Sequence, residues 1–379
     1  MALNLTRLQA RRIFILGLGA SALALASCQT GRGPVRPGPI VEPPPVVTEQ
    51  NMVAVIVPLT GGDGPVGTSI SNAARLALLD TGETSIKVSV YDSSAPGGAA
   101  AATQRAIAEG NRLILGPLLA EDVRAAAPVA RKAGVPIIAF SNDEGVAGNG
   151  VYIMGFTPDQ SISRVVGYAR SKGSSRFAAL VPTGLYGQRA AQAMIGAVRK
   201  SGGVVTGIQS YDRSKAAMTA AIRQLNAKGA SDAILIGDNG RMAAMAAPLL
   251  KAGPRKLGTE LWATDKVLGK TPPLRGAWYA AAPDFQFNRL VTRYRARYGK
   301  TPYRLASLGY DAVLLAVRSA KNWPLGRAFP AKSLIDPDGF GGVDGAFRFA
   351  RDGVAERLLE VRQVTPAGTT TIAPAAARF

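Results

Sequence analysis

From Met52 onward the chain repeats one unit: a short apolar run, a turn rich in Gly or Pro, then a helical stretch. Strands separated by helices of ten or more residues cannot pair as hairpins. They need crossovers, and crossovers give parallel sheets with helices packed on both faces. Met52–Val57, a continuous apolar run, reads as a strand buried on both sides. Ile86–Tyr91, Leu113–Leu115 and Val135–Phe140 continue the series, with helices expected over 69–80, 99–110 and 120–133. A second cycle has strands at 177–181, 204–209, 233–236, 257–263 and 277–281, separated by helices over 160–172, 187–200, 215–228 and 241–252. Helices over 287–298 and 305–321 follow, then a hairpin of 345–349 with 358–364 around Arg351-Asp352-Gly353. The expected fold is α/β and two-lobed, each lobe a doubly wound parallel sheet. Lobe 1 is expected to hold 51–156 and 283–344, and lobe 2 to hold 157–282 and 345–370, with 371–379 as a tail.

Composition narrows the chemistry. The chain has one Cys and no His in 379 residues. This removes internal disulfides, Cys/His zinc sites and His-dependent catalytic triads, and no Asp-rich calcium loop is present. Gly62, Gly67, Thr68 and Ser69 mimic a phosphate loop, but the Lys such a loop needs is absent. No nucleophile elbow is found. The expectation is a binding protein, not an enzyme, with no cofactor and no metal. The net charge of +20 favours anionic surroundings such as lipid headgroups, wall polymer or an acidic partner. The basic residues are scattered, which also fits a merely solubilising surface.

The first 27 residues read as a cleavable signal. Arg7, Arg11 and Arg12 precede Ile13–Leu25, a 13-residue apolar stretch too short to span a bilayer. Arg11-Arg12 fits twin-arginine or general export. Leu25-Ala26-Ser27-Cys28 resembles the bacterial lipobox, which makes Cys28 the lipid-bearing residue. Gln29 after it implies, by the same resemblance, outer-membrane sorting on the periplasmic side. Export makes nucleic acid an unlikely partner. Gln29–Gln50 carries six prolines and no apolar period, so 28–50 is expected to be an extended tether.

Open parallel sheets bind ligands beyond the carboxyl ends of their strands. That rule selects the loops holding Thr60, Ser141, Asn142, Tyr186 and Asp238 as cleft candidates. Ser141 and Asn142 offer hydroxyl and amide groups to a small polar ligand, or caps to their own backbone. Asp238 offers a carboxylate for a ligand ammonium, or a plain Asp–Asn–Gly turn.

Val53 to Gly61, Leu115-Gly116-Pro117-Leu118, Gly134 to Ile138, Gly184-Leu185-Tyr186-Gly187, Tyr294 to Gly299, Leu308 to Ala312 and Asp344 to Phe349 occur in order. As a set they resemble type I periplasmic binding proteins of the branched-chain amino acid class. This resemblance implies the two-lobed fold and places Tyr186 against a ligand. Tyr91-Asp92-Ser93-Ser94, with Leu113 to Leu119 and Val123, is more similar to the lipoprotein activators of penicillin-binding proteins. That narrower resemblance implies a peptidoglycan synthase as partner; those activators carry an additional helical domain before this one, where only the tether is expected here. The alternative is a lipid-anchored solute receptor of an ABC transporter. One physical feature bears on both: Pro117 to Ala120 offers no hydroxyl, and Glu121 and Asp122 fill the helical turn where a ligand carboxylate would sit.

Overall fold

The computed structural model describes residues 50–379. The signal, Cys28 and nearly all of the tether lie outside them. Among the described residues no helix is long and apolar enough to cross a membrane.

The first sheet is parallel, in the order β2 (Ile86–Asp92), β1 (Asn51–Val57), β3 (Leu113–Leu115), β4 (Ile137–Ala139), β5 (Val151–Ile153). Successive side chains of a strand point to opposite faces, and β1 uses both. Val53, Val55 and Val57 pack with α1 (Gly64–Thr81) and α9 (Ala306–Ala320). Ala54 and Ile56 pack with α2 (Gly98–Ala108) and α3 (Ala120–Lys132) on the other face.

The second sheet repeats the plan. The strands β7 (Val204–Tyr211), β6 (Arg176–Pro182), β8 (Ala233–Ile236), β9 (Arg255–Gly258) and β10 (Trp278–Ala281) run parallel. Phe177, Ala179 and Val181 face α4 (Pro158–Ser171) and α5 (Leu185–Lys200). Ala178 and Leu180 face α6 (Lys215–Ala227) and α7 (Gly240–Ala246). Two antiparallel strands, β14 (Glu360–Thr365) and β15 (Gly368–Ala373), extend this sheet beyond β10.

Several expected boundaries shift. The first helix begins at Gly64, not near 69, because Pro65 fits the first turn and Gly67 is pressed against the end of β1. A Cβ at Gly67 would overlap the Pro58 carbonyl oxygen. The expected strand over 257–263 stops at Gly258, and Glu260–Trp262 forms a 3-10 turn. The Trp262 ring lies flat against Gly258, where a Cβ would collide with it.

The C-terminal segment divides differently from the expected hairpin. β12 (Gly345–Phe349) pairs with β11 (Phe340–Gly342) and with the short β13 (Ala355–Arg357) in a separate antiparallel sheet. Phe347, Phe349 and Ala355 are buried in the core of the first lobe, so 345–357 packs with lobe 1 and not with lobe 2. Only from Leu359 does the chain join the second core. The expected tail is also shorter, since β15 runs to Ala373.

The chain therefore crosses between lobes three times: after β5, between β10 and α8 (Phe285–Tyr298), and between β13 and β14. The crossings are tied together. Arg357 donates to the Met154 carbonyl at 2.6 Å, and Arg362 donates to the Ala282 carbonyl at 2.9 Å and to Asp284 at 2.5 Å.

Candidate functional site

Between the lobes lies a cleft of about 420 Å³, formed where the carboxyl ends of both sheets meet. Its size is that of an ordinary small-molecule site. Val66, Leu118, Leu119 and Phe140 supply apolar wall from lobe 1 and Leu261 from lobe 2, with Phe156 on the first crossing. Polar groups are few: Asp63, Asn142, Glu260, Thr264 and Arg304.

Glu260 is the unusual one. Its carboxyl accepts hydrogen bonds from the Ser161 hydroxyl and, at 3.0 Å, from the Tyr186 hydroxyl. Among the described residues no Lys or Arg forms an ion pair with it. Burial pushes its pKa up to about 7, and the hydroxyl donors offset only part of this. Tyr186 is pushed well above its ordinary value, first by burial and then by the charge of Glu260.

The raised pKa has a consequence for stability. Between about pH 4.5 and 7 the folded chain keeps a proton on Glu260 that the unfolded chain has released. The stability associated with this group is present below the unfolded value and is lost as pH rises through 7. Glu260→Gln should therefore unfold with a shallower decline across that window than the wild type. Parallel denaturant curves at pH 5 and 7.5 measure this.

Arg304 faces the cleft from the segment before α9. Its guanidinium pairs with the fully buried Asp344 and lies 4.0 Å over the Phe287 ring. Behind it lie the buried Arg357 and Asp311, so that two cations, one of them partly exposed, meet two buried carboxyls. Burial, and then the charge of Asp344, push Asp311 up to about 7. Burial lowers Arg357, and Nε and Nη1 of this side chain have no hydrogen-bond partner among the described residues.

The residues selected from sequence are placed unevenly. Asn142 lines the cleft. Tyr186 lines a smaller cavity of about 90 Å³ beside it and reaches the cleft through Glu260. Ser141 is buried, and its hydroxyl accepts from the Asp143 N–H at 3.1 Å. Thr60 is exposed and bonds Asp92 at 3.2 Å. Asp238 is fully buried, held by Arg213 at 2.9 and 3.1 Å and by the Tyr211 hydroxyl at 2.8 Å. Its carboxylate is committed within the chain, so it offers nothing to a ligand ammonium. Asn239 caps α7, as the turn reading of that loop requires.

The α3 terminus behaves as its residues dictate. Glu121 and Asp122 occupy the first turn, and burial raises the Asp122 pKa. Leu118 and Leu119 present side chains and no hydroxyl to the cleft. Glu260 and Arg304 escape sequence reasoning. The first lies inside an expected strand, and the second follows a helix instead of a strand. Among the described residues no cluster of acidic, Cys or His side chains could hold a metal ion.

Two doubly wound lobes, three crossings and an interlobe cleft define the class of two-lobed binding proteins. Residues 52–369 match the sequence model of the periplasmic binding proteins, and the chain belongs to that family. Solved structures agree on the fold. A putative branched-chain amino acid ABC transporter protein from Rhodospirillum rubrum superposes with a TM-score of 0.73 at 20% identity, covering 85% of this chain and 100% of that one. A leucine binding protein from Thermotoga maritima gives 0.64 at 21%, covering 85% and 98%. A solute binding protein from R. palustris, solved with benzoate, gives 0.62 at 18%, covering 86% and 98%. Among curated proteins, an uncharacterised protein of Rickettsia prowazekii is 25% identical over 174 residues, 46% of this chain. The alignment spans about half the length of that relative (47%).

Proposed function

We propose that this chain is a non-enzymatic solute receptor of the ABC-transporter type, held at the periplasmic side of a membrane, most simply the outer one, by a lipid on Cys28. The observation that carries this reading is the cleft: mainly apolar walls, with Glu260 contributed by one lobe and Arg304 by the other. Such a site suits a compact apolar solute with one small polar group. A free α-amino acid is poorly served at the α3 terminus, where Asp122 occupies the first turn and no hydroxyl is offered. The proteins of known fold include one solved with benzoate, a small ligand with an apolar ring.

The resemblance to penicillin-binding protein activators stands on weaker ground. Leu113, Ile114 and Leu115 are fully buried. The Tyr91 hydroxyl is tied to Glu109 at 2.6 Å and to Asn111 at 2.9 Å. These residues describe a core, and a core motif identifies a fold better than a docking face.

Calorimetry of the full chain against branched and aromatic acids, amines and amino acids tests the receptor reading. Micromolar binding of one class, abolished by Arg304→Gln or Glu260→Gln, is expected. No heat from any member, together with retention of a purified peptidoglycan synthase, would replace the receptor with the activator.

A further inference from the structure

Asp143 follows β4 on the cleft side of lobe 1, and its side chain is 1% exposed. Two guanidinium groups converge on it. Arg124, from α3 of the same lobe, donates to Oδ2 at 2.5 Å. Arg189, from α5 of the opposite lobe, places Nε at 3.2 Å and Nη2 at 2.9 Å from Oδ1. The Gly145 N–H adds a third donor to Oδ1 at 3.0 Å.

The seat of Arg189 is built for it. A Cβ on Gly145 would overlap Nη2 of Arg189, so the guanidinium would have to shift from its seat. Beside the pair, the small cavity of about 90 Å³ is lined from both lobes by Asn142, Pro158, Leu185 and Tyr186. Among the described ion pairs, this one joins the lobes away from the crossing segments.

In a hinged two-lobed protein, whatever binds both lobes at once favours closure. A solute does this by contacting both walls. Here a side chain of the protein does it, with a charge-assisted contact using two donors. We infer that Asp143 and Arg189 form a built-in latch. The Arg189 guanidinium occupies the lobe 1 carboxylate as a cationic solute group would, and the lobes rest closed before a solute enters. Arg124 anchors the same carboxylate within its own lobe, so it orients Asp143 without bridging the cleft. On opening, Asp143 and Arg189 both regain water, which makes the contact a reversible bias on the lobe equilibrium.

The test compares full-length variants by small-angle X-ray scattering without solute. Arg189→Ala should shift the radius of gyration upward. Arg124→Ala should leave it unchanged. Gly145→Ala, which displaces the guanidinium while keeping every charge, should open the lobes as Arg189→Ala does, and it serves if Arg189→Ala does not fold. An Arg189→Ala or Gly145→Ala profile that superposes on the wild type overturns the latch. So does equal expansion in Arg124→Ala.

Discussion

Asp344→Asn should cost about 3–5 kcal/mol of folding stability, the range for removing one partner from a buried ion pair. Asp344 is fully buried and is the pairing carboxylate for Arg304. It also supplies the largest attraction that keeps Arg357 charged against its burial. Without it, the buried Arg357 and the partly buried Arg304 guanidinium face only Asp311, whose carboxyl is pushed up to about 7 by burial and by Asp344. Some relief follows in the variant, because Asp311 loses a repulsive neighbour and ionises more readily. Guanidinium unfolding measures the loss as a lower midpoint at unchanged slope. The double variant Asp344→Asn, Arg304→Gln should recover part of it, since the orphaned cation is removed as well. A midpoint shift equivalent to less than about 1 kcal/mol would mean that water already solvates this group.

The second large effect comes from a glycine. In each lobe the helix that follows the first strand presses a glycine onto the end of that strand: Gly67 on Pro58 in lobe 1, Gly187 on Pro182 in lobe 2. At Gly187 a methyl group would overlap the Pro182 carbonyl oxygen, and neither partner is a side chain that can swing aside. The start of α5 must lift, carrying Tyr186 away from Glu260. Gly187→Ala should destabilise by about 3 kcal/mol, at the upper end of overpacking effects. Gly196→Ala is the matched control. It sits in the same helix with nothing within 4 Å of the new methyl, and it should stabilise by about 0.5–1 kcal/mol through helix propensity alone. Thermal unfolding of the two variants separates the steric term from the propensity term.

How much of this was legible depends on the physics of each segment. β1 and β6 announce themselves because a strand covered on both faces must be apolar, and both are from their second residue onward. β5 does not, because Val151–Ile153 is three residues long between glycines and gains its place only by pairing with β4. β13 is hidden for another reason. It carries Arg357 into a core, and a buried guanidinium makes sense only once Asp344 is known to lie beside it.

The site divides in the same way. The rule that ligands sit beyond the carboxyl ends of strands leads to Asn142 and Tyr186. It also selects Asp238, whose carboxylate is consumed by Arg213 through a contact between different elements that no local pattern reveals. Glu260 and Arg304 come together only when both lobes are assembled.

The three crossings, stitched to one another by Arg357 and Arg362, also set the mechanics of the molecule. Three independent cords would let the lobes twist, slide and part in many ways. Cords bound side by side act as a single flexure, stiff to shear and torsion and compliant along one bending direction. The domain should then have one soft coordinate, and any molecule that grips both lobes would report its presence along that axis alone.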